Sequence, residues 1–279
     1  MSSPSLLILV PAYNEERRIG PTLDALAACF RGRYSGRWNI LVVLNGCRDN
    51  TRGVVEERMK VHPEVRWVEF PGAIGKGGAL IEGFKHAHEA DLIGFVDADG
   101  STNPDSFLEL VRRCATADCV VGSRRVAGSV IQQSQPSHRM FASSVFHTIV
   151  ETLFGMHIKD TQCGAKVLSQ RAALRIQEAL HIADMAFDVN LLYSVKRAGF
   201  SIVEAPVEWT DSAGSTVRYF RTSTVMFLSV VRLRLVYSPF YRWLSPLRPI
   251  EAAIYRWLRN PPPRPATRSD RPRPGEPEG

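Results

Sequence analysis

Residues 6–10 form an unbroken apolar run ended by Pro11, and residues 40–44 form a second, ended by Asn45 and Gly46. Short apolar runs without alternation mark strands covered on both faces, as in a parallel sheet. Residues 66–70, 92–96 and 119–122 continue the series. Between the first two runs, Thr22, Leu23, Leu26, Ala27 and Phe30 recur at helical spacing, and residues 79–88 and 106–114 predict further helices. Strands alternating with helices predict an α/β fold, a mostly parallel central sheet flanked by helices. Its ligand crevice should lie beyond the carboxyl ends of the strands.

The second half is more helical. Residues 137–155, 172–180 and 187–198 predict helices, and residues 201–209 a strand containing Pro206. Residues 222–236 are apolar, but Arg232 and Arg234 interrupt them and the run falls short of the ~20 residues a membrane span needs. The last 20 residues hold seven prolines and are expected to be disordered.

The 279 residues are 44% hydrophobic and 23% charged, which excludes fibrous and wholly disordered chains. Five cysteines (Cys29, Cys47, Cys114, Cys119, Cys163) contain no close pair, so neither a disulfide framework nor a zinc ribbon is expected. A reducing, cytoplasmic setting is. The first ten residues lack the basic region of a secretory leader. The net charge of +7 is local: residues 212–259 carry eight arginines and one acid, Glu251, whereas residues 1–211 hold 23 basic against 24 acidic side chains. The expected organisation is a globular domain at 1–211, a basic amphipathic helical segment at 212–259 that lies on a membrane surface, and a disordered tail at 260–279.

Asp97-Ala98-Asp99-Gly100 follows directly on the run at 92–96, which puts two carboxylates at the carboxyl edge of the sheet. Such a pair repels itself unless a cation joins it to an anionic ligand, so Mg²⁺ or Mn²⁺ held by Asp97 and Asp99 is the economical reading. The plain alternative is an Asp-Gly turn. Gly75-Lys76-Gly77-Gly78 opens a helix, where backbone N–H groups and a lysine suit a phosphate, although a simple helix-entry loop explains the glycines equally well. Val10-Pro11-Ala12-Tyr13-Asn14-Glu15 and Gly122-Ser123-Arg124 end two other strands at the same crevice.

In this order, with Asp160-Thr161-Gln162-Cys163-Gly164 and Phe187-Asp188 after them, these blocks resemble the family 2 glycosyltransferases. Within that family the similarity is greatest to the dolichyl-phosphate glucosyltransferases and mannosyltransferases, and it covers roughly residues 5 to 238. The resemblance implies a GT-A (Rossmann-like) fold with C-terminal amphipathic helices. It further implies a nucleotide-diphospho-sugar donor, a divalent metal and inverting transfer to a polyprenyl or dolichyl phosphate, with UDP-glucose favoured over GDP-mannose.

Carried over by position, the resemblance places Pro11, Ala12, Tyr13, Glu15 and Asn45 around the nucleotide, with Asp49 and Lys76 nearby. Asp97 faces the nucleotide, Asp99 the metal and Arg124 the diphosphate. Arg139 meets the acceptor phosphate, and Asp160, Gln162 and Asp188 surround the sugar and the reaction centre. Leu44-Asn45-Gly46-Cys47 departs from the family's D-D-G-S, and Thr216 stands where a lysine is usual, so neither the base nor a substitute role for Arg218 follows from the sequence.

The chemistry suits this inventory. A phosphate monoester is ionised near neutral pH and attacks without a general base, and none of the seven histidines falls in these motifs. Competing readings are a family member acting on a soluble hydroxyl acceptor, a nucleotidyltransferase with similar carboxylates, and an RNA-binding protein using the arginines and aromatic residues of 212–259. The apolar residues interleaved there argue against a purely solvated face, and the expected partner is a membrane surface, with no nucleic acid.

Overall fold

The structure, a computed structural model, describes residues 3–132, 137–180, 186–210 and 219–238, with the backbone alone at 137–144 and 219–226. The strands are β1 (Leu6–Ala12), β2 (Trp38–Asn45), β3 (Val65–Phe70), β4 (Leu92–Phe95), β5 (Cys119–Ser123), β6 (Val130–Ile131), β7 (Lys166–Ser169), β8 (Ile202–Pro206) and β9 (Glu208–Trp209). The helices are α1 (Ile19–Arg33), α2 (Thr51–Val61), α3 (Gly75–Phe84), α4 (Pro104–Arg113), α5 (Ser137–Phe154), α6 (Gln170–Ile176), α7 (Phe187–Arg197) and α8 (Tyr219–Val236).

Seven strands form one sheet in the order β3-β2-β1-β4-β7-β5-β8. It is parallel except for β7, which runs antiparallel between β4 and β5. Because helices cover both faces, the central strands bury side chains on both sides, which explains the unbroken apolar runs. In β1, Leu6, Ile8 and Val10 enter the core that includes Leu23, Phe30 and Phe107. Leu7 and Leu9 enter the opposite core, with Phe84, Phe95 and Phe187. Fully buried side chains of this size contribute about 1.5–3 kcal/mol each, so apolar burial holds a helical layer to each face of the sheet. Val230 and Leu233 of α8 also lie in the second core, fully buried.

The pattern-derived strands and helices are present, with ends shifted by a few residues. Three features differ from expectation. Helix α2 was not anticipated, because only Thr51 and Val55 of it are buried and its apolar stripe is too sparse to register. Strand β7 is short and begins with a lysine. The strand expected at 201–209 is divided: β8 ends at Pro206, which has no N–H to donate, and β9 pairs instead with β6.

Candidate active site

The loops after β1 and β2 are laced together. Asn14 adopts a positive φ of 55° and its Oδ1 accepts the Arg48 N–H at 2.8 Å. The Glu15 N–H donates to Thr51 Oγ1 at 2.8 Å, and the Glu16 N–H to Asp49 Oδ2 at 3.1 Å. Asp49 also accepts the N–H and the hydroxyl of Thr51. Burial pushes its carboxyl up, but these donors outweigh burial and hold it below the usual aspartate value. Asn45 Oδ1 accepts the Ile74 N–H at 2.7 Å and draws the segment before α3 over the end of β2. Gly46, at φ 65°, allows that approach, since a side chain there would collide with the backbone of Gly72 and Ala73.

The result is a cleft of about 470 Å³ at the carboxyl ends of β1, β2 and β4. Pro11, Ala12, Tyr13, Glu15, Asn45, Lys76, Asp97 and Asp99 are among the residues that line it. Tyr13 is 48% exposed, an aromatic face at the rim. The Lys76 ammonium pairs with Asp97 Oδ1. Asp99 Oδ1 accepts the Ser101 N–H at 3.0 Å, which closes the turn at Gly100. Burial raises the Asp97 carboxyl, Lys76 opposes this, and the charges of Asp99 and Asp188 raise it further. Burial disfavours the charged form of Lys76, yet Asp97, Asp188 and Asp99 together hold its pKa well above the lysine range. Burial likewise raises Glu15, which Arg18 grips at 2.6 and 2.7 Å.

Beside the cleft, Arg124 forms a two-pronged pair with Asp160, Nε to Oδ2 at 2.7 Å and Nη2 to Oδ1 at 2.9 Å, while its own N–H donates to Oδ2 at 3.0 Å. Asp160 is 4% exposed; burial raises its carboxyl, but Arg124 prevails and depresses it. Glu204 accepts the Lys159 and Asp160 N–H groups and so fixes the backbone that presents Asp160. The Arg124 guanidinium lies over the Trp209 ring at 4.9 Å. Asp188, the second residue of α7, pairs with Lys166 Nζ at 2.5 Å.

Eight of the residues singled out in the sequence therefore share the cleft. Asp49 is not in the lining; its carboxylate is engaged in tying the two loops. Arg124, Asp160 and Asp188 form paired groups behind the carboxylates, near enough that Asp188 acts electrostatically on both Lys76 and Asp97. Among the described residues, the buried amide nitrogen of Gln162 finds no partner. Arg139 falls in the first turn of α5, and its side chain is outside the described residues, as are Thr216, Arg218 and residues 239–279. Sequence reasoning missed Lys166, Glu204 and Trp209, which no local pattern marks. Among the described residues, no three His, Cys, Asp or Glu side chains gather as a metal cage. Asp97 and Asp99 supply two hard oxygen-bearing groups at an open cleft, which fits a cation completed by phosphate and water oxygens.

Among the described residues no helix is long and apolar enough to cross a membrane. The glycosyl transferase family 2 model matches residues 7–177. A dolichyl-phosphate beta-glucosyltransferase of Trichomonas vaginalis is 35% identical over 221 residues, covering 75% of this chain and 65% of that protein. The Saccharomyces cerevisiae protein described in the same words is 30% identical over 83% of this chain and 75% of its own. Among solved structures, glucosyl-3-phosphoglycerate synthase from Mycobacterium tuberculosis, in complex with Mn²⁺, UDP and phosphoglyceric acid, aligns with a TM-score of 0.59 at 17% identity, over 83% of this chain and 78% of that one. The mannosyltransferase of Pyrobaculum calidifontis, in complex with GDP-Man and Mn²⁺, aligns with a TM-score of 0.56 at 17% identity, over 92% and 70%. The fold is thus GT-A, and the chain is a glycosyltransferase that belongs to glycosyl transferase family 2.

Proposed function

We propose that the protein moves glucose from UDP-glucose to dolichyl phosphate or another polyprenyl phosphate at the cytoplasmic face of a membrane, with GDP-mannose as the next donor to consider. The observation that carries this reading is the convergence of Asp97, Asp99 and Lys76 on one cleft, beside the Arg124–Asp160 pair, in a chain whose relatives are dolichyl-phosphate glucosyltransferases.

In this reading Tyr13 offers its exposed ring to the base, while Asn45 and Glu15 shape the rest of the nucleoside pocket. A divalent cation on Asp97 and Asp99 would neutralise charge on the diphosphate. Lys76 and Arg124 stabilise the negative charge that accumulates on the departing nucleoside diphosphate, in a site where burial strengthens each interaction. The acceptor phosphate is already an anion. It forms the new O–C1 bond from the face opposite the leaving diphosphate, so the C1–O bond to the diphosphate breaks with inversion and no proton needs to be removed. Asp160 orients Arg124, Asp188 lies by the sugar, and Arg139 at the head of α5 receives the acceptor phosphate. Residues 212–259 hold the enzyme on the anionic leaflet where its lipid lies.

The test is a donor-by-acceptor assay with purified protein, UDP- and GDP-sugars, short-chain polyprenyl phosphates and soluble hydroxyl and phosphate acceptors. Glucosyl transfer from UDP-glucose to the polyprenyl phosphate is expected. Transfer only to a soluble acceptor would overturn the lipid assignment and leave the glycosyltransferase intact.

A further inference from the structure

Lys166 has no exposed surface. It is the first residue of β7, the antiparallel strand inserted between β4 and β5, and its backbone is in register with Phe95 on one side and Val121 on the other. Strand β4 leads into Asp97 and Asp99, and β5 leads into Arg124. Lys166 therefore stands between the two strands that deliver the catalytic groups. Its Nζ donates to Asp188 Oδ1 at 2.5 Å and to the Cys163 carbonyl at 2.8 Å, and it lies 5.3 Å from the centre of the Phe95 ring.

A buried ammonium is costly, and an ion pair in such a place generally contributes little or no net stability compared with apolar side chains of similar size. What it does supply is geometry. The Cys163 carbonyl precedes Gly164, whose α-carbon abuts the Asp97 carboxylate. The charge of Asp188 also acts on Asp97 and Lys76. One cation thus ties together the loop behind Asp97, the carboxylate at the head of α7 and the strand between β4 and β5.

We propose that Lys166 is a positioning residue of the transfer reaction, holding Asp188 and the Cys163–Gly164 backbone in the arrangement that sets Asp97 in the cleft. This rests on the glycosyl-transfer reading above. Lys166 touches neither donor nor acceptor; it acts through Asp188 and through the loop.

The experiment is a double-mutant cycle with Lys166→Met, Asp188→Asn and the double variant, reading kcat and donor KM separately and thermal midpoints in parallel. Lys166→Met is expected to lower kcat by about 100-fold, the scale of an ångström-level misplacement, with donor KM within about twofold of wild type. Once Asp188 is neutral, removing Lys166 should cost far less further rate than it does in the wild type, the remainder being its hold on the Cys163 carbonyl, and the midpoint lost in Lys166→Met should return in part in the double variant. Unchanged kcat in Lys166→Met, or a loss that multiplies in full upon Asp188→Asn, would overturn the proposal. If Lys166→Met does not fold, the comparison of Asp188→Asn with the double variant carries the same decision. A wild type silent with every donor would count against the functional reading instead. The thermal cycle then still decides the Lys166–Asp188 connection, since additive midpoints would refute it.

Discussion

Gly164 has no room for a side chain, because the Asp97 carboxylate occupies the space a Cβ would take. The two residues come from different strand ends, and their contact joins the Asp160–Gly164 block to the Asp97–Asp99 block in one wall. The backbone of one motif is the support for the side chain of the other.

Gly164→Ala should therefore act on Asp97 rather than on the fold. The carboxylate is the movable partner and turns away from Lys76. We expect kcat to fall by about tenfold or more, since displacement of a reacting group by an ångström can cost up to 100-fold, while the far-UV spectrum is unchanged. Wild-type kinetics in Gly164→Ala would show that Asp97 has slack in this site.

Asp99→Asn should lose most activity without unfolding. One missing metal oxygen is expected to cost several kcal/mol of transition-state stabilisation, on the order of 100-fold or more in rate. Excess EDTA should silence the wild type and Mn²⁺ or Mg²⁺ restore it. Full activity after exhaustive chelation would exclude a metal at these carboxylates.

Asp160 is expected to lend the fold a pH-dependent stability. Burial raises its carboxyl, but Arg124 more than compensates and leaves the folded value below the ordinary 3.8. Because the folded value lies below the unfolded one, the stabilisation is complete above about pH 5 and is lost as pH falls through the folded value. Asp160→Asn leaves a largely buried guanidinium unpaired and should cost about 3 kcal/mol at pH 7. Urea denaturation of both proteins should show the difference shrinking steadily as pH falls from about 5 towards 2. A gap constant with pH would mean that the charge on Asp160 is not what stabilises the pair.

The basic segment is tested by reversing Arg242, Arg248, Arg256 and Arg259 together. Each arginine near an anionic leaflet contributes about 1 kcal/mol, so the reversed protein should sediment far less with anionic liposomes at physiological salt. Buried aromatic side chains should leave a residual, salt-insensitive part. Equal sedimentation of the two proteins would overturn the electrostatic anchor.

The sequence by itself determined the layered α/β architecture, because strands covered on both faces write themselves as unbroken apolar runs whatever their partners. It also determined which residues stand at the sheet's carboxyl edge. Pro11, Asn45, Asp97 and Arg124 each follow an apolar run closely, and a strand's end is a local property. Only the tertiary structure decided what these residues do to one another. Arg124 meets Asp160 across 36 positions, and Lys166 meets Asp188 across 22. Such pairings leave no periodicity, since they depend on the order in which strands enter the sheet. The antiparallel insertion of β7 was invisible for the same reason: four residues headed by a lysine read as surface until β4 and β5 enclose them. Burial then converts that lysine from a solvated charge into a fixed point, because an ammonium withdrawn from water is held by whatever acceptors the fold brings to it.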